Sequence, residues 1–387
     1  MATPIPSPSL CADRGRPCRS TRRQLTMLNP TRLATARKRR GWTLTKLAQE
    51  TGLSRASLST YENQHQDPTP QTLSTLSAAL GVEEAFLTGD DLDEIPVEAV
   101  SFRALSKMTA RTRDRGLNSG RIAILIDEWL AEHFTLPAPD VPTLTGREPA
   151  LAAQEVRARW GLGEQPIGNL IHLLEAHGIR VYSLTDDTKD LDAYCLNWHG
   201  QPFILLSRDK SGERHRFNAA HELGHLVLHG EDKTPNGPEA EAEANQFAAA
   251  FLMPTAGVLA QGLHNAHVQR ILQAKRRWNV AAMAVAHRAN ELGLMTEWAY
   301  RTVCVDLSRM GYRRGEPNGI PHESSQLLTK AMQQLRSHGL GPHAIATDLG
   351  LSTAEVQAYM LGLTPTALQG SQTAATRSRS NHLQLVD

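Results

Sequence analysis

The stretch His221-Glu222-Leu223-Gly224-His225 holds residue types whose spacing can do chemistry. On a helix, two histidines four residues apart project from one face about one turn from each other. That spacing lets both imidazoles reach one Zn²⁺ at ~2.0–2.1 Å. Glu222 lies about 100° round the helix from His221, too far to join them as a ligand. It is placed instead to take the proton from a water at an open coordination position. A third ligand is expected from a second helix, where Glu239, Glu241 and Glu243 are the acids available. Glu241 and Glu243 point about 200° apart, so only one of them faces the metal. Glu241 shares a face with Asn245, which can hold a ligating histidine by its second ring nitrogen. Glu241 is therefore the expected ligand, with Glu243 second. His229 sits two turns from His221, ~12 Å along the axis, and reads as a structural or supporting residue rather than a ligand of the same ion.

The elements that must position these residues are a buried helix and its neighbour. Phe217, Ala220, Leu226 and Leu228 flank the histidines with apolar side chains, and the acidic segment runs into the apolar 247–254. Upstream, 151–160 and 170–177 read as helices, and 179–184 as a strand. Two further strands, 193–198 and 202–207, flank His199-Gly200-Gln201 as a hairpin. A sheet edge beside the metal groove would let an extended peptide add as a strand. Tyr194, His199 and Arg216 are the polar groups considered for stabilising an oxyanion, and the sequence does not choose among them.

Arg216-Phe217, Ala220 through His225, Leu226, Leu228 and His229, then Glu241, Ala244, Asn245 and Phe247-Ala248-Ala249, then Leu252-Met253-Pro254 together resemble the ImmA/IrrE family of zinc metallopeptidases. The Glu-x-x-x-Asn arrangement is also similar to the gluzincin pattern, which has Asp in the last place. The family resemblance implies a zincin-like α+β domain that cleaves repressor proteins in bacteria and their mobile elements.

Between 29 and 90 the sequence reads as five short helices, 31–40, 44–50, 55–62, one opening at Pro68-Thr69-Pro70 and a fifth over 82–87. Thr43 and Ser54 stand as caps and Gly52 and Gly81 as stops. Ala48, Gly52 and Leu58 have helix-turn-helix spacing. Arg40-Gly41-Trp42-Thr43, Tyr61-Glu62-Asn63 and the Pro68-x-Pro70-x-Thr72-Leu73 run resemble the Cro/CI-type (XRE) domain. By that resemblance Arg55, Ala56, Ser57 and Thr60 face the major groove of double-stranded DNA. Arg55 is the expected base reader, able to pair bidentately with guanine, and Thr43 and Lys46 sit on phosphates.

The 387 residues carry a net charge of +1, and four scattered cysteines give neither a disulfide framework nor a Cys-type metal site. No apolar run has the length of a membrane span, so a cytoplasmic protein without a membrane partner is expected. The first forty residues hold ten Arg/Lys against Asp13 alone. Residues 1–28 read as a disordered basic tail, with a true start at Met27 or an arm on DNA phosphates as alternatives. The expected order is then a helix-turn-helix domain over 29–90, a helical connector over 91–149 with a helix from 100 to 134, and the metallopeptidase domain over 150–300. A helical C-terminal region over 301–387 follows. From residue 268 onward, helices are read over 268–292, 297–310 and 327–360, with a disordered tail from 366. Ile345-Ala346, Gly350-Leu351-Ser352 and Val356 repeat the spacing of Leu47-Ala48, Gly52-Leu53-Ser54 and Leu58, but Glu355 and the lack of basic residues favour a structural or partner-binding module.

The expected function is a DNA-binding regulator carrying a zinc endopeptidase that acts on a repressor or on itself, with a homodimer allowed. The alternative is a non-enzymatic regulator that uses the zincin fold as a sensor or dimerisation module.

Overall fold

Small polar residues ahead of apolar runs start most of the helices. In the computed structural model, which describes residues 27–96, 100–102, 109–185, 191–230 and 237–360, α1 (Pro30–Arg39) is capped by Asn29, whose side chain accepts from Thr31 and Arg32 N–H. Thr43 caps α2 (Leu44–Thr51), which stops at left-handed Gly52. Ser54 caps α3 (Arg55–Glu62), and Thr69 caps α4 (Pro70–Leu80), which ends at left-handed Gly81. The fifth helix, α5 (Glu84–Leu87), starts later than expected because Val82 makes a bridge to Leu351. Leu33, Leu47, Leu58, Leu76, Leu80 and Phe86 close the core of this bundle. Leu28, assigned from sequence to the tail, is buried with them. Residues 1–26 of that tail, and the C-terminal tail expected from 366, lie outside the described residues.

The helix expected from 100 to 134 is corrected at its start. Val100–Phe102 form strand β1, and α6 spans Ala110–His133. α7 (Pro149–Arg159), α8 (Leu170–Ala176), β2 (Arg180–Ser183), β3 (Ala193–Trp198) and β4 (Gln201–Leu206) follow. The β3–β4 turn has His199 and Gly200 both at positive φ, as a two-residue hairpin loop requires. The sheet runs β1-β3-β4-β2, with β2 and β4 parallel and the other pairs antiparallel. Among the described residues four strands replace the three expected, and the outer side of β3 is not an open edge, since β1 pairs along Tyr194, Cys195 and Leu196.

Alternation along the strands gives the sheet two apolar faces. Val181, Ala193, Cys195, Ile204 and Leu206 join a core with α9 (Gly212–Leu228) and α10 (Pro238–Leu252). Tyr182, Tyr194, Leu196, Phe203 and Leu205 join α6 and the N-terminal bundle in the other core. α11 (Thr255–Leu259), α12 (Val268–Trp278), α13 (Ala282–Glu291) and α14 (Glu297–Arg309) complete the first core. The helix expected over 268–292 is broken at Asn279, which caps α12 in a left-handed conformation.

The chain then returns to the N-terminal bundle through α15 (Gln326–Ser337), α16 (Pro342–Leu349) and α17 (Thr353–Tyr359). The helix read over 327–360 is thus three helices, and α16 and α17 turn at left-handed Gly350 as α2 and α3 do at Gly52. Glu83 N–H donates to Gly350 O at 2.8 Å, and Trp129 Nε1 donates to Asp348 Oδ2 at 2.9 Å. Glu355 is buried in an ion pair with Arg39, whose guanidinium also lies over the Tyr359 ring. No described helix is long and apolar enough to cross a membrane.

Candidate metal centre

α9 is buried along nearly its whole length between the sheet and α10. Ser211 caps it, accepting from Arg214 N–H. Its crossing with α10 is close because position 224 is glycine. A Cβ there would stand 3.1 Å from Phe247 Cδ1 and 3.2 Å from the Cα and carbonyl oxygen of Ala244. That close approach brings the first turns of α10 alongside the two histidines, a role for Gly224 that sequence reasoning did not assign.

The Nε2 atoms of His221 and His225 are 3.1 Å apart. Glu241 Oε2 is 3.5 Å from His221 Nε2, and its Oε1 is 3.3 Å from His225 Nε2. Donors at ~2.0–2.1 Å from one tetrahedral ion stand roughly 3.3–3.5 Å from each other. The three side chains therefore fit one small divalent cation, and they are the one such group found among the described residues. Both histidines are buried, whereas the Glu241 side chain keeps 21% of its exposure, which marks the side open to solvent.

The other ring nitrogens are also occupied. His221 Nδ1 is 3.1 Å from Asn245 Oδ1, and His225 Nδ1 is 2.9 Å from His229 Nδ1. His229 Nε2 is in turn 3.0 Å from Glu243 Oε2. The two acids weighed from sequence are thus separated, Glu241 at the imidazole pair and Glu243 at His229, while Glu239 is exposed. Glu222 is buried on α9 between the two histidines. Arg216 and Tyr194 are engaged elsewhere. The Arg216 guanidinium binds Gly168 O, Ile167 O and Glu323, and Tyr194 donates to Gly116 O in the opposite core.

On the N-terminal bundle, Arg55 and Ala56 are exposed at the start of α3, with Ser57 half-buried behind them. Thr60 Oγ1 donates to Ala56 O at 2.9 Å, so its hydroxyl is partly spent on the helix. Thr43 and Lys46 are exposed, and Lys46 pairs with Glu50 one turn on, an exposed pair that water and a phosphate can replace cheaply.

Comparison with known families gives two matches. Residues 33–87 match the helix-turn-helix family, and residues 174–290 match the IrrE N-terminal-like domain, peptidase family M78. No curated protein matches the chain significantly. The second match contains α9 and α10 complete, and with them all three clustered side chains. Along the chain, an XRE-type helix-turn-helix region is thus followed by an IrrE N-terminal-like region that matches peptidase family M78, the order of a fusion of the two.

Proposed function

We propose that the chain is a DNA-binding transcriptional regulator with a zinc-dependent endopeptidase centre, hydrolysing peptide bonds in a repressor protein or in itself. The convergence of two imidazole nitrogens and one carboxylate at 3.1–3.5 Å, with the buried Glu222 between the two histidines in sequence, carries this reading. His221 and His225 through Nε2, and Glu241 through its carboxylate, would hold the ion, and two imidazoles with one carboxylate suit Zn²⁺ better than Mg²⁺ or Ca²⁺. When bound, Zn²⁺ supplies Lewis acidity towards water and the scissile carbonyl.

The chain's own residues do the rest. Glu222 takes the proton from the attacking water and delivers it to the leaving amine. Asn245 Oδ1, beside His221 Nδ1, favours the proton on that nitrogen and leaves Nε2 free to ligate. On DNA, α3 enters the major groove with Arg55 reading a guanine and Ala56, Ser57 and Thr60 beside it, while Thr43 and Lys46 bind phosphates. This reading implies a cytoplasmic protein whose partners are double-stranded DNA and a repressor.

The test is zinc content together with incubation against repressors encoded beside the gene. Wild-type protein is expected to carry about one zinc per chain and to cleave a repressor or itself. Glu222→Gln should carry the same zinc and cleave nothing. A zinc-free wild type, or a variant that cleaves as well as wild type, rejects the reading.

A further inference from the structure

We propose that His229 and Glu243 are positioning residues for the metal centre, forming a directed hydrogen-bond chain that decides which nitrogen of His225 is free to ligate. The inference rests on the zinc reading above, and it assigns a role to two residues that bind neither metal nor substrate.

The direction follows from the ends of the chain. An ionised carboxylate only accepts, so the hydrogen between Glu243 Oε2 and His229 Nε2, 3.0 Å apart, belongs to His229. A neutral imidazole that donates from one nitrogen accepts at the other. His229 Nδ1 is therefore the acceptor in its 2.9 Å contact with His225 Nδ1, and that hydrogen belongs to His225. His225 Nε2 is left with its lone pair directed at His221 Nε2 and Glu241, where the ion would sit. α10 thus serves the centre twice. Glu241 reaches it directly, and Glu243, on the far side of the same helix turn, reaches it through two imidazoles. The two ligating histidines are oriented by different means, His221 by an amide oxygen and His225 by a second ring backed by a charge. Such supporting partners are generally worth 10–100-fold in metal affinity.

The experiment measures Zn²⁺ affinity by chelator competition, and reads the histidine tautomers from imidazole ¹⁵N shifts in the metal-free protein. His229→Leu removes the acceptor and should weaken Zn²⁺ binding 10–100-fold, with His225 becoming a mixture of tautomers. His229→Asn, whose Oδ1 overlies the position of Nδ1, should recover most of the affinity and the Nδ1–H tautomer. Glu243→Ala, at a carboxylate with 41% of its side chain exposed, leaves packing intact and should fall between. Wild-type affinity and tautomer in His229→Leu would overturn the proposal. So would a variant whose metal-free melting temperature falls while the His225 tautomer stays unchanged, since that marks a residue that only supports the fold. A wild type that shows the Nδ1–H tautomer of His225 yet binds no Zn²⁺ overturns the zinc reading, and this inference falls with it for a reason the spectra identify.

Discussion

Gly224 lies flat against the backbone of Ala244, with room for a Cβ only 3.2 Å from that residue's Cα and carbonyl oxygen. This contact sets the spacing of α9 and α10. In Gly224→Ala the added methyl meets main chain, which cannot swing away, so the helices must part slightly. Overpacking costs ~1–3 kcal/mol, while alanine regains ~1 kcal/mol of helix propensity. Stability is then expected to fall by no more than about 2 kcal/mol. Zinc affinity should fall more clearly, about tenfold (~1.4 kcal/mol), because Glu241 is carried away from the histidines. Unfolding curves and chelator competition on the same preparation check both.

Arg55 and Lys46 are expected to fail differently on DNA. Arg55→Ala should cost ~1–3 kcal/mol at the specific operator and relax discrimination at one base pair. Lys46→Ala should weaken binding to all sequences alike and lower the salt-dependence slope by about 1. Titrations on the operator and on scrambled DNA over a range of salt separate the two.

Arg39 and Glu355 pair with less than a tenth of either side chain exposed. Removing one partner from such a pair strands a buried charge, typically at ~3–5 kcal/mol. Glu355→Ala should therefore lower the urea midpoint strongly. Replacing both by apolar residues, Arg39→Met with Glu355→Leu, should recover most of the loss in the same assay.

Glu175 gives a pH signature. Burial raises its carboxyl from 4.5 to about 7, against hydrogen bonds from Ser325 and from the N–H groups of Gln326 and Leu327. The folded protein binds this proton more tightly than the unfolded chain does. The contribution is therefore complete below pH 4.5 and is lost as the pH climbs to about 7. The loss is worth up to about 3 kcal/mol. Glu175→Gln should remove that part of the slope in unfolding curves between pH 5 and pH 8.

Much of this was legible in the sequence because it is local. Thr43, Ser54 and Thr69 cap helices from one to three residues away, and the four-residue spacing of His221 and His225 needs only helical geometry. Asn245 beside His221 followed from the same periodicity, one helix along. The rest depended on distant partners. Val100–Phe102 are only three residues, and their strand character comes from pairing with Tyr194–Leu196, which no local pattern announces. Asn279 breaks a helix by adopting a left-handed conformation, which asparagine tolerates without a sequence marker as plain as glycine. Glu355 looked like a residue repelled by phosphate, and its partner is Arg39 at the other end of the chain.

Both faces of the sheet are packed by described residues. Tyr182, Tyr194, Leu196, Phe203 and Leu205 back onto the helices that carry α3, while Val181, Cys195, Ile204 and Leu206 back onto the helix that carries the histidines. A cut at the acidic stretch near residue 90 would strip the α6 side of α1 and lay bare apolar surface on both fragments, so neither half is a ready-made excisable module. A party wall of four short strands obliges the two halves to keep house together.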